Sequence, residues 1–301
     1  MRGNPKFALV MPSTNKPNKH FSVKLKERVV VEKSDYRRPN KLFVLSGIEG
    51  NLRQLCKLLM RAKVVDKYLH WTFEDNHLVL IGNCFNSGDE ITECLWLVYS
   101  LEEKAKREGG HVHFILGNNE IMGINGNWRH LHPHYAVRKN GSSTALYDGN
   151  NQLWKWLCTK NIIERIGDML FVYGGMAKEV LHLNLSVKQI NDLTRPHYTQ
   201  ARNNFSDPVL SLLFGNDTSP FGYRGYCLGT ASEELVDATL QHFDVQTIIT
   251  GHPLINRINT FYNGKVFNVN MNHTSGISEG LLISKDRFYR VAIDKKRERI
   301  K

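Results

Sequence analysis

The sequence predicts an α/β fold in which two mixed β-sheets pack face to face with helices outside. Three observations predict it. Apolar strand-like runs alternate with helix-period segments from Lys41 onward, the runs end in short loops that set Gly beside Asn, Glu or His, and the last quarter of the chain changes to alternating strands with an Asn-Gly turn at Asn263-Gly264. A length of 301 residues can bury a large core and allows one large domain or two small ones.

Residues 1–40 are rich in Lys, Arg, Asn and Pro and form a basic N-terminal extension, with FSVKLKERVVV suited to an edge strand. Residues 41–301 read as one domain. LFVLS is a strand feeding the helix NLRQLCKLLMRAKVV, whose Leu52, Leu55, Leu58 and Leu59 share one face. HLVLIGN (His77 to Asn83) is the next strand. Ser87-Gly-Asp-Glu90 reads as a capping box, opening an amphipathic helix that continues through WLVYSLEEKAKRE and stops at Gly109-Gly110. HVHFIL is the third strand and ends in the loop GNNE, Gly117 to Glu120.

A Trp-rich helix (Gln152 to Lys160), a strand pair around MLFVYGG and a mostly polar excursion over about 183–229 follow. Thr230-Ala-Ser-Glu233 reads as a second capping box ahead of the helix ELVDATLQHF. The strand VQTIITG then leads to His252, and RINTFYNGKVFNVNMNH and EGLLISKDRFYRVAI alternate as antiparallel strands. No internal repeat is present.

Composition narrows the classes. Hydrophobic residues at 41% and charged residues at 23% are ordinary for a soluble globular protein. No run approaches the 18 apolar residues of a membrane span, and the N-terminus lacks a continuous apolar signal segment, so a cytoplasmic location without membrane contact is expected. Five cysteines, an odd number with no C-x-x-C pair, argue against a disulfide framework and a cysteine zinc site. A net charge of +11 suits an anionic partner, but much of it sits in the first 63 residues and the tail KDRFYRVAIDKKRERIK. A solvated surface is therefore the favoured reading, and nucleic acid is disfavoured. The His-rich RHLHPHY (Arg129 to Tyr135) suits a turn better than zinc.

Five loops, SGIEGN, IGNCFNSGD, LGNNEIM, VYGGM and TGHP, fall at strand ends, where the loops of an α/β sheet converge and ligands bind. In order and spacing they resemble the motifs GDxHG, GDxxDRG, GNHE, HGG and GH of the calcineurin-like metallophosphoesterase superfamily, most closely its Shewanella-like protein phosphatases. The resemblance covers about residues 41–270. LGNNEIMGINGNWRHLHPHY and SPFGYRGY also look like that family's text. It implies a four-layer sandwich and metal-dependent phosphoester hydrolysis.

Carried over residue by residue, the motifs are degenerate. The first metal-binding Asp falls on Gly47 and its His on Glu49. The bridging Asp falls on Asn83, the Asp supporting the catalytic His on Asn86, and a phosphate-clamping Arg on Ser87. Asn118 and Glu120 keep the third motif, but its catalytic His is Asn119. The fourth motif's His is Tyr173. His252 is kept, and Arg224 matches a second phosphate-binding Arg.

Two divalent cations about 4 Å apart need an anionic bridge and several anionic or imidazole ligands against their mutual repulsion. Asn83 is neutral and Gly47 has no side chain. Glu49, Asn118 and His252 are residual ligands for one weak divalent cation (Mn, Fe or Zn) at most, so no cofactor is expected. The amides Asn86 and Asn119 suit a reciprocal pair that neutralises the site as a unit.

Blander roles compete. Glu49 can complement a helix dipole, His252 can be a satisfied polar group, Arg224 can pair with an acid, and the amides can line a water-filled pocket. The reading that follows is a catalytically inactive phosphoesterase fold that binds an anionic small molecule or a protein partner, with Arg224, Asn118, His252 and Asn83 as ligand-binding candidates. The alternative is a metal-dependent serine/threonine-phosphatase-like enzyme with an atypical metal site.

Overall fold

The apolar runs become strands buried along nearly their whole length. The computed structural model describes residues 6–11, 19–84, 88–126, 151–200, 205–273 and 277–301. Strands β1 (Lys6–Met11) and β2 (Lys19–Lys24) pair antiparallel as a separate ribbon. Phe21 and Val23 of β2 are buried. Thus FSVKLKERVVV contributes a strand, but to this ribbon and not to either large sheet.

The short β3 (Asp35–Tyr36) precedes β4 (Lys41–Leu45), α1 (Leu52–Arg61), β5 (His77–Ile81), α2 (Ile91–Arg107) and β6 (His111–Ile115). β4, β5 and β6 pair in parallel. In all three the last four residues are buried, as expected for parallel strands covered on both faces. Helix α1 forms because Asn51 caps it, accepting from Gln54 N at 3.1 Å, and because Leu52, Leu55, Leu58 and Leu59 bury one stripe.

Next come α3 (Asn118–Ile124), α4 (Gln152–Leu157), β7 (Ile163–Ile166) and β8 (Met169–Val172), then α5 (Lys178–Leu181), α6 (Val187–Thr194), α7 (Pro208–Phe214) and α8 (Gly225–Leu228). The chain closes with α9 (Glu233–Phe243), β9 (Thr247–Thr250), β10 (Asn259–Phe261), β11 (Val266–Asn268), β12 (Glu279–Ser284), β13 (Arg287–Ala292) and β14 (Glu298–Arg299). One six-stranded sheet has the order β10-β11-β9-β8-β7-β3 and the other β14-β13-β12-β4-β5-β6. Both are mixed, and Phe267 of one stacks on Phe288 of the other at 4.6 Å. Among the described residues no helix is long and apolar enough to cross a membrane.

Both expected capping boxes are displaced. α2 starts at Ile91 with Glu90 as its cap residue and no side-chain cap bond. The reason is a competing contact: Glu90 N donates to Gly50 O at 3.2 Å, so this stretch closes on the neighbouring loop before the helix begins. Ser87 lies outside the described residues. α9 is capped by Ser232, which accepts from Leu235 N, because the amides of Thr230 and Ala231 both turn back to Gly225 O and close α8.

A titratable cluster lies where the two sheets meet at the starts of their strands. His113 is buried with Nδ1 2.6 Å from Glu164 and Nε2 2.9 Å from His77. Its ring lies 4.4 Å from that of His111 and edge-on to Tyr36. Burial pushes His77, His111 and His113 down to about 3, and pushes Glu164 up to about 7.

The histidines stay neutral when folded but take up protons when unfolded, so their contribution is present above about pH 6.5 and lost as pH falls towards 3. Glu164 acts in the opposite sense between about pH 4.5 and 7, because the folded chain holds its proton more tightly. Three imidazoles against one carboxylate leave the acid side unfavourable. Unfolding stability should therefore fall by roughly 2 kcal/mol per pH unit below pH 6.5, and His111→Gln should flatten the slope. Urea unfolding at pH 7.5, 6.5 and 5.5 measures this, and a midpoint unmoved over that range would contradict the assignment.

Candidate functional site

The C-terminal ends of β4, β5, β6, β8 and β9 bring the Gly-containing loops together. Backbone bonds fasten them: Glu49 N to Asn83 O at 2.9 Å, Gly82 N to Ile115 O at 2.7 Å, and Gly251 N to Tyr173 O at 2.8 Å. At their centre the carboxylate of Glu120 is fully buried. It accepts from the backbone amides of Cys84 at 2.7 Å, Gly117 at 2.9 Å and Asn83 at 3.0 Å. A buried anion needs such compensation, and the same bonds lock the β5 loop to the β6 loop. Glu120 is thus committed to the backbone and is no free acid, base or ligand.

Asn83 is buried at φ +58°. Its amide nitrogen donates to Glu49 Oε1 at 3.1 Å and to Asn270 Oδ1 at 3.2 Å, and its oxygen accepts from Asn119 Nδ2. Both donors of this amide and one of its oxygen's two lone pairs are in use. Asn119 therefore pairs with Asn83. The expected partner, Asn86, lies outside the described residues, as do Ser87 and Arg129 to Tyr135. Glu49 is not in the first turn of α1, which holds no acid, so it bonds Asn83 across the loops instead of answering that turn's dipole.

Gly47 has φ +76°, and a Cβ there would lie 2.2 Å from Met271 O and 2.6 Å from Asn270 Oδ1. The backbone after β11 fills the space that a side chain at 47 would need. Tyr173 is buried, and its ring packs so closely on Gly82, Gly117 and Gly251 that a Cβ on any of the three would fall within 3 Å of it. Burial pushes its phenol well above the usual range, the charges of Glu120 and Glu49 add to this, and Arg224 opposes them. His252 stacks on Tyr173 at 5.1 Å. Arg224 is exposed and forms no ion pair among the described residues. Asn118 Oδ1 is buried with no hydrogen-bond partner among them.

Three participants were missed in the sequence. Asn268 Nδ2 donates to Pro253 O at 2.7 Å, Asn270 accepts from Asn83, and buried His273 joins Ser278 Oγ at 2.6 Å and Ser46 O at 2.9 Å. Burial pushes His273 down to about 4. A signal existed: Asn268, Asn270 and Asn272 recur at every second position, which sets them on one face of an extended strand.

The residues present do not fit a two-metal centre. Position 47 is filled by backbone, the bridging position is a neutral amide whose oxygen already accepts a hydrogen bond, and among the described residues no group of three or more His, Cys, Asp or Glu side chains is placed to hold a metal ion.

The family model for calcineurin-like phosphoesterases matches residues 44–254. Shewanella-like protein phosphatase 2 of Arabidopsis thaliana is 27% identical over 127 residues, which is 42% of this chain and 29% of that relative. Shewanella-like protein phosphatase 1 of Plasmodium berghei is 21% identical over 169 residues, 54% of this chain and 45% of that one. The chain thus spans less than half the length of either curated relative. A crystal structure of a cold-active protein-tyrosine phosphatase from a psychrophilic Shewanella species superposes with a TM-score of 0.88 at 30% identity, covering 97% of this chain and 90% of its own. A Saccharomyces cerevisiae protein serine/threonine phosphatase shares the fold at a TM-score of 0.57, 12% identity and coverage of 83% of this chain and 76% of that one.

Replacing Glu120 leaves three buried amides without their acceptor. Glu120→Ala should destabilise the chain by about 3 kcal/mol or more, and Glu120→Gln by less, since one oxygen survives. Chemical denaturation of both variants measures the difference, and a loss under about 1 kcal/mol for the alanine variant would refute the role.

Proposed function

The chain belongs to the calcineurin-like phosphoesterase family, and we propose that it uses that scaffold as a binding or interaction module without two-metal catalysis. The observation that carries this reading is the closed amide network at the bridging position. Asn83 gives its amide protons to Glu49 and Asn270, and its one neutral oxygen already accepts from Asn119, which makes it a poor bridge between two cations. The filled space at Gly47 supports it, because even an Asp restored there would meet Met271 O.

The occupant of the cleft is an anionic group, such as a phosphorylated side chain or metabolite, or an acidic segment of a protein partner. Arg224 supports that choice, being an exposed guanidinium with no ion pair among the described residues. A second reading, a single-cation phosphoesterase, has a structural observation in its favour: the oxygen of Asn118 is buried with no hydrogen-bond partner among the described residues and suits a neutral ligand for one ion. The relatives named as phosphatases lean the same way.

Elemental mass spectrometry after exposure to manganese and removal of free metal separates the two readings. The module retains close to no metal, and its hydrolysis of 4-nitrophenyl phosphate stays at background. One or two bound equivalents, with manganese-dependent turnover abolished by His252→Ala, would overturn the proposal in favour of the enzyme. Gly47→Asp should not raise activity, and should destabilise the chain by roughly 1–3 kcal/mol through its positive φ and the blocked Cβ. Parallel denaturation and activity measurements on that variant test this.

A further inference from the structure

At the opposite end of the strands from the cleft, a cavity of about 460 Å³ opens on the sheet that contains β4. It lies between the end of α1, the loop before β5 and the strands β12 and β13. Its apolar part includes Phe73, Leu282 and Val291, all buried residues of the core. Around it stand Lys41, Arg61, Lys63 and Arg297, with Glu74 as the single carboxylate.

Four cations around an apolar hollow repel one another, and a folded chain normally relieves this with nearby acids. None of the four forms an ion pair among the described residues. Arg38, Arg165, Lys106, Arg195, Lys265 and Arg290 all do.

Two of the four cations are held in place. Arg61 donates Nη2 to Lys295 O at 2.8 Å and Nε to Ala292 O at 3.3 Å, which leaves three of its five N–H groups. The Arg297 guanidinium lies 4.5 Å above the ring of Tyr289, a contact that leaves the donors at its edge available.

We infer that this cavity binds a small organic phosphate with an apolar or aromatic body, the phosphate among the four cations and the body on Phe73 and Leu282. The volume lies in the range of small-ligand sites, and combining an apolar surface with a few fixed polar groups is how such sites select ligands. The site does not use the strand-end loops and is independent of the reading given for them.

The test is calorimetric titration of the full chain with phenylphosphonate, whose carbon–phosphorus bond phosphoester hydrolysis does not touch, beside phenol and inorganic phosphate. One equivalent of phenylphosphonate should bind, with each half-ligand weaker by roughly tenfold or more. Lys41→Glu with Arg297→Glu, both exposed positions, should weaken phenylphosphonate by a similar factor, whereas Arg224→Ala should leave it unchanged. Absence of binding, equal binding of inorganic phosphate, or retention by the double variant would overturn the inference. Loss on Arg224→Ala alone would also overturn it, by placing the ligand in the strand-end cleft.

Discussion

The arrangement of the strand-end loops depends on one buried anion. Glu120 cannot reach water, and its charge is tolerated only because three backbone amides point at it. That requirement works in both directions. The side chain holds the loop after β5 against the loop after β6, and those loops supply the donors that let the carboxyl group be buried. With the amides of Asn83 and Cys84 fixed, Asn83 is set in the left-handed region with its side chain among Glu49, Asn119 and Asn270. The cleft is therefore organised from below by a carboxyl group bonded to the backbone of two of its loops.

Much of the fold was legible because burial on both faces leaves a strong mark. β4, β5 and β8 are nearly continuous apolar runs, β6 and β9 are short apolar-rich segments, and the amphipathic stripe of α1 is periodic enough to name its buried leucines. The antiparallel ending followed from alternation and from the Asn-Gly turn. Helix starts were less legible, since a capping motif states only that a local bond is possible. At Glu90 a backbone partner 40 residues away, Gly50, took the amide first, and at Thr230 the end of the preceding helix did. The edge strand near residue 21 was visible, but its partner was not, because strand pairing is set by what lies alongside.

The site divides in the same way. Gly47, Glu49, Asn83, Asn118, Asn119, Tyr173 and His252 were singled out because their loops resemble the phosphoesterase family's motifs in order and spacing. The roles of Glu120, Asn268, Asn270 and His273 were not, because they depend on contacts between segments far apart in sequence. Tyr173 shows the limit best. The sequence reports a lost imidazole, whereas the structure gives the larger fact that an aromatic ring packs against glycines from three other loops and carries His252 on its face.

Charge decides where an anion can sit in such a cleft. Glu49 and Glu120 lie on the Asn83 side of Tyr173, and both push its phenol towards the neutral form. Arg224 acts on the same phenol with the opposite sign. A phosphate beside Glu49 would meet like charge in a partly desolvated space. Beside Arg224 it meets a guanidinium that has no acid partner among the described residues. On the proposed reading, the centre of anion attraction lies off the bridging position and out towards α8. A ligand held there, as proposed, would touch the rim of the loops and not the interior position from which a bridging water would act.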